Sequence, residues 1–400
     1  MPGRYHKHRK SDQLCVVCGS MSQDLTRRRL LQVGAASASA LALGRFAEPS
    51  WAQSPSPIVK PLPPEWFIPL GTNAEMRWDT AAGLPYTTPN ERFFVRNHTS
   101  TPIIDPRTYR LQVFGSGLRR PEGISLSLRD LQRLPSRTIF AAIECAGNGR
   151  SFFASQQGTP ATGTQWKLGA IGVARWRGVP LRAVLEHAGV TRRAVDVMPE
   201  GLDAEVAANG HVRRPLPIAK ALDDVLLAYE MNGAALPPDH GAPVRVVVPG
   251  WIGIASIKWV GRIEVSDQPL FSAWNTTQYT LDGVPITQQV VKSAFELSFG
   301  AELQAGRHHV LTGRSWSGRA PIKRVEISTG GRYEPAQLHG PNLPHTWVRW
   351  RHVFKPRAAG PVELRARATD WRGNTQPDTV PLNPNGYLFG AVVRHPVTIA

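Results

Sequence analysis

Four hundred residues exceed what one hydrophobic core usually supports, so two domains are the first expectation. A 42% hydrophobic content describes a folded, soluble protein, and a net charge of +17 describes a basic one. Its positive side chains are mostly scattered arginines, with doublets at Arg119-Arg120 and Arg213-Arg214 and no long run outside the N-terminus; this argues against nucleic acid and for small anions or an acidic partner.

The chain opens with a leader. Arg27-Arg28-Arg29 precedes a 14-residue Ala/Ser/Leu-rich stretch from Leu30 to Leu43, followed by Ser50-Trp51-Ala52, the order of an export signal of the twin-arginine kind. The apolar run is too short to span a bilayer of roughly 30 Å. We read residues 1–52 as the signal, translated from Met21, with residues 1–20 outside the natural product. The expected location is the periplasm, reached already folded through the twin-arginine translocation machinery. That route commonly serves proteins that receive a cofactor in the cytoplasm. Cys15 and Cys18 form a lone C-x-x-C pair, a weak signal for zinc or redox work. Cleavage after Ala52 leaves 348 residues and one cysteine, Cys145, so a disulfide within the chain is excluded. A lone thiol in an oxidising compartment must be buried or bound.

After a Pro-rich lead-in from Ser54 to Pro64, the stretch to Asp282 mixes short strand patterns with short helical ones. Tyr109–Phe114 and Val244–Val248 read as strands, while Leu126–Leu134 and Leu181–Ala188, the latter entered through Pro180, read as helices. Phe93-Phe94-Val95 reads as an apolar strand that ends in Arg96, Asn97 and His98. Frequent Pro and Gly keep these elements brief, which indicates a mixed α+β domain over 53–285. Beyond it His345–Phe354, Val325–Tyr333 and Val362–Ala368 alternate in the manner of half-buried strands, and 286–400 reads as an immunoglobulin-like β-sandwich.

Four stretches gather residues that a plain structural domain would not concentrate. They are Phe93-Phe94-Val95-Arg96-Asn97-His98; Ile143-Glu144-Cys145-Ala146-Gly147-Asn148-Gly149-Arg150; Trp166 to Trp176; and Leu226 to Lys258, which holds Tyr229-Glu230-Met231-Asn232-Gly233, Asp239-His240-Gly241, Pro243-Val244-Arg245 and Ser256-Ile257-Lys258. Singly, each has a plain explanation as a turn, a cap or an exposed strand face. Their conjunction does not.

At these residues the sequence resembles the sulfite oxidase family of molybdopterin enzymes, from about Glu91 to the C-terminus. The resemblance implies an α+β molybdopterin-binding domain followed by a dimerisation domain, hence a homodimer. It makes Cys145 the thiolate ligand of molybdenum, beside the soft sulfur donors of the pterin. Phe94, Val95, Arg96, Asn97, His98, Asp203, His240, Arg245, Ser256, Ile257 and Lys258 would line the molybdenum-molybdopterin cofactor. Arg96, Arg150 and Tyr279 would join Cys145 at the substrate, with Trp166 as a further wall. Guanidinium forks match the oxygens of a small oxyanion such as sulfite, and Arg245, Lys258 and His240 suit a phosphate. The implied reaction is two-electron oxidation of sulfite to sulfate. The chain shows neither a His-Pro-Gly-Gly stretch nor a Cys-x-x-Cys-His site, so no haem is expected in it and a separate c-type cytochrome is the expected acceptor.

One departure stands at Asn385, where the family pattern carries an arginine; Arg372 is the candidate to supply that charge. The rival readings are a sibling molybdopterin enzyme, a sulfane dehydrogenase or a sulfoxide reductase, and a non-enzymatic anion-binding periplasmic protein. Gly149-Arg150 favours sulfite over the first, and a C-terminal β-region argues against the second.

Overall fold

The computed structural model describes residues 57–400; the leader, Cys15 and Cys18 lie outside the described residues. Two five-stranded sheets dominate the first part. In one, Arg137–Glu144 pairs antiparallel with Ile171–Pro180, which pairs with Leu226–Met231 and through it with Arg245–Val247 and Ala234–Ala235. The side chains explain the order: Ala141, Ile143, Ala174, Trp176, Leu226, Ala228, Met231 and Val247 all bury in one cluster with Phe93, Phe94 and Cys145. Gly172 is required there, because a Cβ on it would stand 2.5 Å from the Phe93 ring. The other sheet runs Ile124–Ser127, Arg110–Phe114, Val260–Ser266, Asp196–Gly201 and Leu216–Pro217, with one parallel pairing between Arg110–Phe114 and Val260–Ser266.

The helices are short and start or stop for identifiable reasons. Leu181–Ala188 runs from Pro180 to Gly189, which takes the left-handed conformation at φ +84°, and buries Leu181, Val184, Leu185 and Ala188. Only Leu128–Arg133 of the expected Leu126–Leu134 helix is helical. Ser127 and Asp130 form a capping box that starts the helix there, and Leu126 belongs to the preceding strand.

Phe93–Val95 differs from expectation. It forms no strand beyond a single bridge between Val95 and Ala74. Of its carbonyls, Phe93 O accepts from Lys60 Nζ, which also reaches the carbonyls of Asn90 and Glu91 just before it, and Val95 O accepts from Ala74 N in the bridge.

From Lys292 onward the chain is all β, as read. A four-stranded sheet (Lys292–Phe295, His309–Trp316, Trp347–Phe354, Gln337–His339) faces a five-stranded one (Ala301–Leu303, Arg394–Ile399, Gly360–Asp370, Ile322–Thr329, Glu334–Pro335). Phe295, Leu311, Ile327, Val348, Trp350, Leu364 and Val397 fill the space between them. This region also grips the first sheet. Ala142 N donates to His345 O at 2.8 Å, and Trp316 and Lys292 reach Glu144, the residue before the cysteine.

Candidate active site

Cys145 sits where the Arg137–Glu144 strand ends. Its amide donates to Ala170 O at 2.9 Å, and its carbonyl accepts from Asn148 N at 2.9 Å, so the chain turns at once. The Asn148 side chain locks that turn by donating to Glu144 Oε1 (3.0 Å) and accepting from Ala170 N (3.1 Å). Lys292 Nζ bonds both Glu144 Oε1 (2.8 Å) and Asn148 O (2.7 Å), and Trp316 Nε1 donates to Glu144 Oε2 (3.0 Å). A buried ion pair with every oxygen engaged thus holds the loop that presents Cys145.

Cys145 opens onto a cleft enclosing about 630 Å³, mouth included. Of the residues assigned from sequence, Phe94, Arg96, His98, Cys145, His240, Arg245, Ser256, Ile257, Lys258 and Tyr279 line it. The remaining five stand behind the wall. Val95 is buried in the Ala74 bridge, and Asn97 Oδ1 accepts from Lys258 Nζ. Asp203 is buried close enough to Lys258 to feel its charge, yet burial pushes its carboxyl up to about 6. Trp166 packs edge-on against Phe94, ring centroids 6.3 Å apart. Arg150 is spent on the carbonyls of Asn385 (2.9 Å) and Thr164 (2.7 Å), with its guanidinium over the Tyr387 ring. Asn385 therefore meets Arg150 through its backbone. Arg372 is no replacement for a charge at Asn385: it is exposed, does not line the cleft, and its amide caps Asp370.

One part of the cleft, around Arg245 and Lys258, is cationic. Arg245 is buried with its donors on the carbonyls of His240 (2.9 Å) and Ser256 (3.0 Å), and Lys258 Nζ bonds Asp239 O at 2.8 Å. Among the described residues neither forms an ion pair. The acid beside them, Asp239, is occupied by the amides of Val59 and Lys60 and by Thr101 Oγ1. Burial pulls Arg245 down to about 9, and burial with the neighbouring Arg245 holds Lys258 well below the ordinary lysine range. Burial and the charges of Lys60, Lys258 and Arg245 likewise hold His240 neutral. Charges buried without a partner are costly, and an anionic ligand is what would relieve them. The donor set therefore fits a cofactor carrying a phosphate, while Cys145 supplies one soft sulfur to a metal. Among the described residues no three His, Cys, Asp or Glu side chains gather as a metal cage, so the other donors would come with the cofactor.

A second part is built around Tyr279, which takes φ +55° and stacks on Tyr387 at 4.9 Å. Arg96 Nη2 donates to His98 Nδ1 (3.1 Å) and to Tyr279 Oη (3.3 Å). Burial and the charges of Arg96 and Lys258 keep His98 neutral, so Nδ1, as acceptor, places the ring proton on Nε2, 3.5 Å from Tyr279 Oη. Burial also raises the Tyr279 pKa and keeps the phenol protonated. Burial works against the Arg96 charge, which is held by its hydrogen bond to Tyr279 Oη and by the nearby Cys145 sulfur. Tyr387 was not singled out from sequence; Phe93, which opens the first stretch but was given no site role, lines the cleft and packs edge-on to His240. For Phe93 the signal was its place beside Phe94; for Tyr387 there was none.

Residues 98–274 match the family described as the oxidoreductase molybdopterin binding domain. The chain is 39% identical over 325 residues to the mitochondrial sulfite oxidase of Homo sapiens, covering 74% of this chain and 58% of that protein's length. It is 39% identical over 323 residues to the sulfite oxidase of Gallus gallus, covering 74% and 69%. The crystal structure of the sulfane dehydrogenase SoxCD from Paracoccus pantotrophus is similar with a TM-score of 0.69 and 29% identity, over 82% of this chain and 84% of that one.

Proposed function

We propose that this chain, which belongs to the sulfite oxidase family of molybdopterin oxidoreductases, oxidises sulfite to sulfate. The net change adds one water oxygen to sulfur and releases two protons and two electrons. The molybdenum–pterin group supplies the two-electron redox chemistry when bound. The observation that carries the reading is the convergence of Cys145, Arg96 and Tyr279 on one cleft that Arg245 and Lys258 also line.

In this reading Cys145 holds the metal, and Arg245, Lys258 and His240 hold the anionic end of the pterin. Arg96 offers its charge to the substrate oxyanion. Tyr279, whose oxygen already accepts from Arg96 and His98, directs its own proton at a substrate oxygen. Arg150 acts from behind the wall, where its fixed charge stands over Tyr387.

The arginine-rich leader supports export of the folded protein to the periplasm by the twin-arginine route, with a c-type cytochrome as acceptor drawn by the basic surface. We assign the 286–400 region to pairing with a second copy. The likeness to a sulfane dehydrogenase favours one second reading, oxidation of a sulfane sulfur at the same site. Parallel assays with sulfite, thiosulfate and methionine sulfoxide on one preparation separate these substrates. Cys145→Ser is expected to fold and to lose sulfite-dependent reduction of cytochrome c or ferricyanide. Undiminished turnover in that variant, or wild-type protein free of molybdenum after expression in molybdate-replete cells, would refute the reading.

A further inference from the structure

Arg214 is among the most deeply buried side chains of the protein, 1% exposed, and among the described residues it pairs with no carboxylate. A guanidinium is costly in such a place unless its donors are engaged. Its Nη1 donates to Trp274 O, and its Nη2 donates to Ile286 O at 2.6 Å. Those two carbonyls are the limbs of one loop. The loop leaves through the short Ala273–Thr276 helix, passes Tyr279, turns at Asp282-Gly283 with both residues at positive φ, and returns at Ile286, whose amide donates to Tyr279 O at 2.9 Å. Two further bonds dock it on the segment that carries Arg214: Ser272 Oγ to Arg213 O (2.9 Å) and Trp274 Nε1 to His211 O (2.7 Å). The Trp274 ring packs 4.3 Å from His98, the second partner of the Tyr279 hydroxyl.

Tyr279 needs such support. Its φ of +55° is unfavourable for a bulky residue and persists only where the surroundings over-determine it. No carboxylate could do this work, because both groups to be tied are carbonyls, and a lysine could not span them with a planar fork.

We propose that Arg214 is a positioning residue for the sulfite reaction: its guanidinium staples the carbonyls of Trp274 and Ile286 together, and so holds the Tyr279 hydroxyl against Arg96 and His98. The role in turnover rests on the sulfite reading above; the staple itself does not.

The test is a double-mutant cycle on the cofactor-loaded enzyme. Arg214→Lys keeps the charge but loses the fork, and is expected to lower kcat/KM for sulfite about tenfold in the wild-type background and less than about twofold in Tyr279→Phe. Arg214→Gln, which carries no buried charge, is read in the same cycle and keeps the test open should the lysine variant fold poorly. A purely structural contribution would lower activity equally in both backgrounds, and that result overturns the proposal, as would unchanged activity. Amide hydrogen exchange across residues 272–286 gives a readout that needs no substrate. Exchange there is expected to quicken in Arg214→Lys, and unchanged exchange overturns the staple. Wild-type enzyme that ignores sulfite while the exchange still responds would fail the sulfite reading and leave the staple standing.

Discussion

The Tyr279 hydroxyl accepts from Arg96 and from His98, which leaves its own proton for a substrate oxygen. Removing that hydroxyl leaves the ring stacked on Tyr387 and should spare the fold. Tyr279→Phe is therefore expected to lower kcat/KM for sulfite by about tenfold or more, the worth of a hydrogen bond to a charged group, with unchanged melting. Equal kcat/KM in the two proteins would remove the hydroxyl from the reaction. Most of this cleft was legible residue by residue, because Arg96, His98, Cys145 and Lys258 sit in short motifs whose neighbours are close in sequence. Tyr387 and Arg214 were not. Their roles come from partners more than 60 positions away, Arg150 and Tyr279 for one and Ile286 for the other, and no local pattern marks such a meeting.

Between elements, the decisive link is the buried pair of Glu144 and Lys292. It joins the strand that ends at Cys145 to the first strand of the C-terminal sheets, so the β-region helps to set the cysteine. Lys292→Met would leave Glu144 buried with Asn148 and Trp316 but without its counter-charge. A loss of about 3 kcal/mol is expected, measured as a lowered urea midpoint at constant slope. A loss under about 1 kcal/mol would show that water enters and solvates Glu144. Helix limits were readable where a Pro or Gly punctuates them, as at Pro180 and Gly189. The stretch Phe93–Val95 has the composition of a strand, but Phe93 N bonds Pro89 O and Phe93 O takes Lys60 Nζ, so only Val95 is left to pair, with Ala74.

For the whole molecule, buried cations in the pocket, Arg245 and Lys258, and beside it, Lys60, give cofactor-free protein a pH dependence of definite sign. Burial lowers Lys60 to about 7 and Arg245 to about 9, and lowers Lys258 as well, all below their unfolded values. Above pH 7 the unfolded chain thus binds more protons than the folded one, so stability rises with pH. The raised acids Glu75, at about 7, and Asp203, at about 6, pull the other way only below that range. Cofactor-free protein is expected to gain stability between pH 7 and 9 in chemical denaturation, and loading with the anionic cofactor should flatten the rise. Stability that stays flat over this interval would mean that these cations keep ordinary affinities for protons.

The amino-acid sequence by itself determined the α+β and β composition, the single cysteine of the described part and the family to which the chain belongs, because each is written in local pattern and motif order. Only the tertiary structure decided which motif residues face the cleft and which stand behind it. Arg150, Asn97 and Asp203 look no different from Arg96 and His98 in one dimension. Their direction depends on carbonyls and charges that distant segments bring, and burial then alters the proton affinities of what remains.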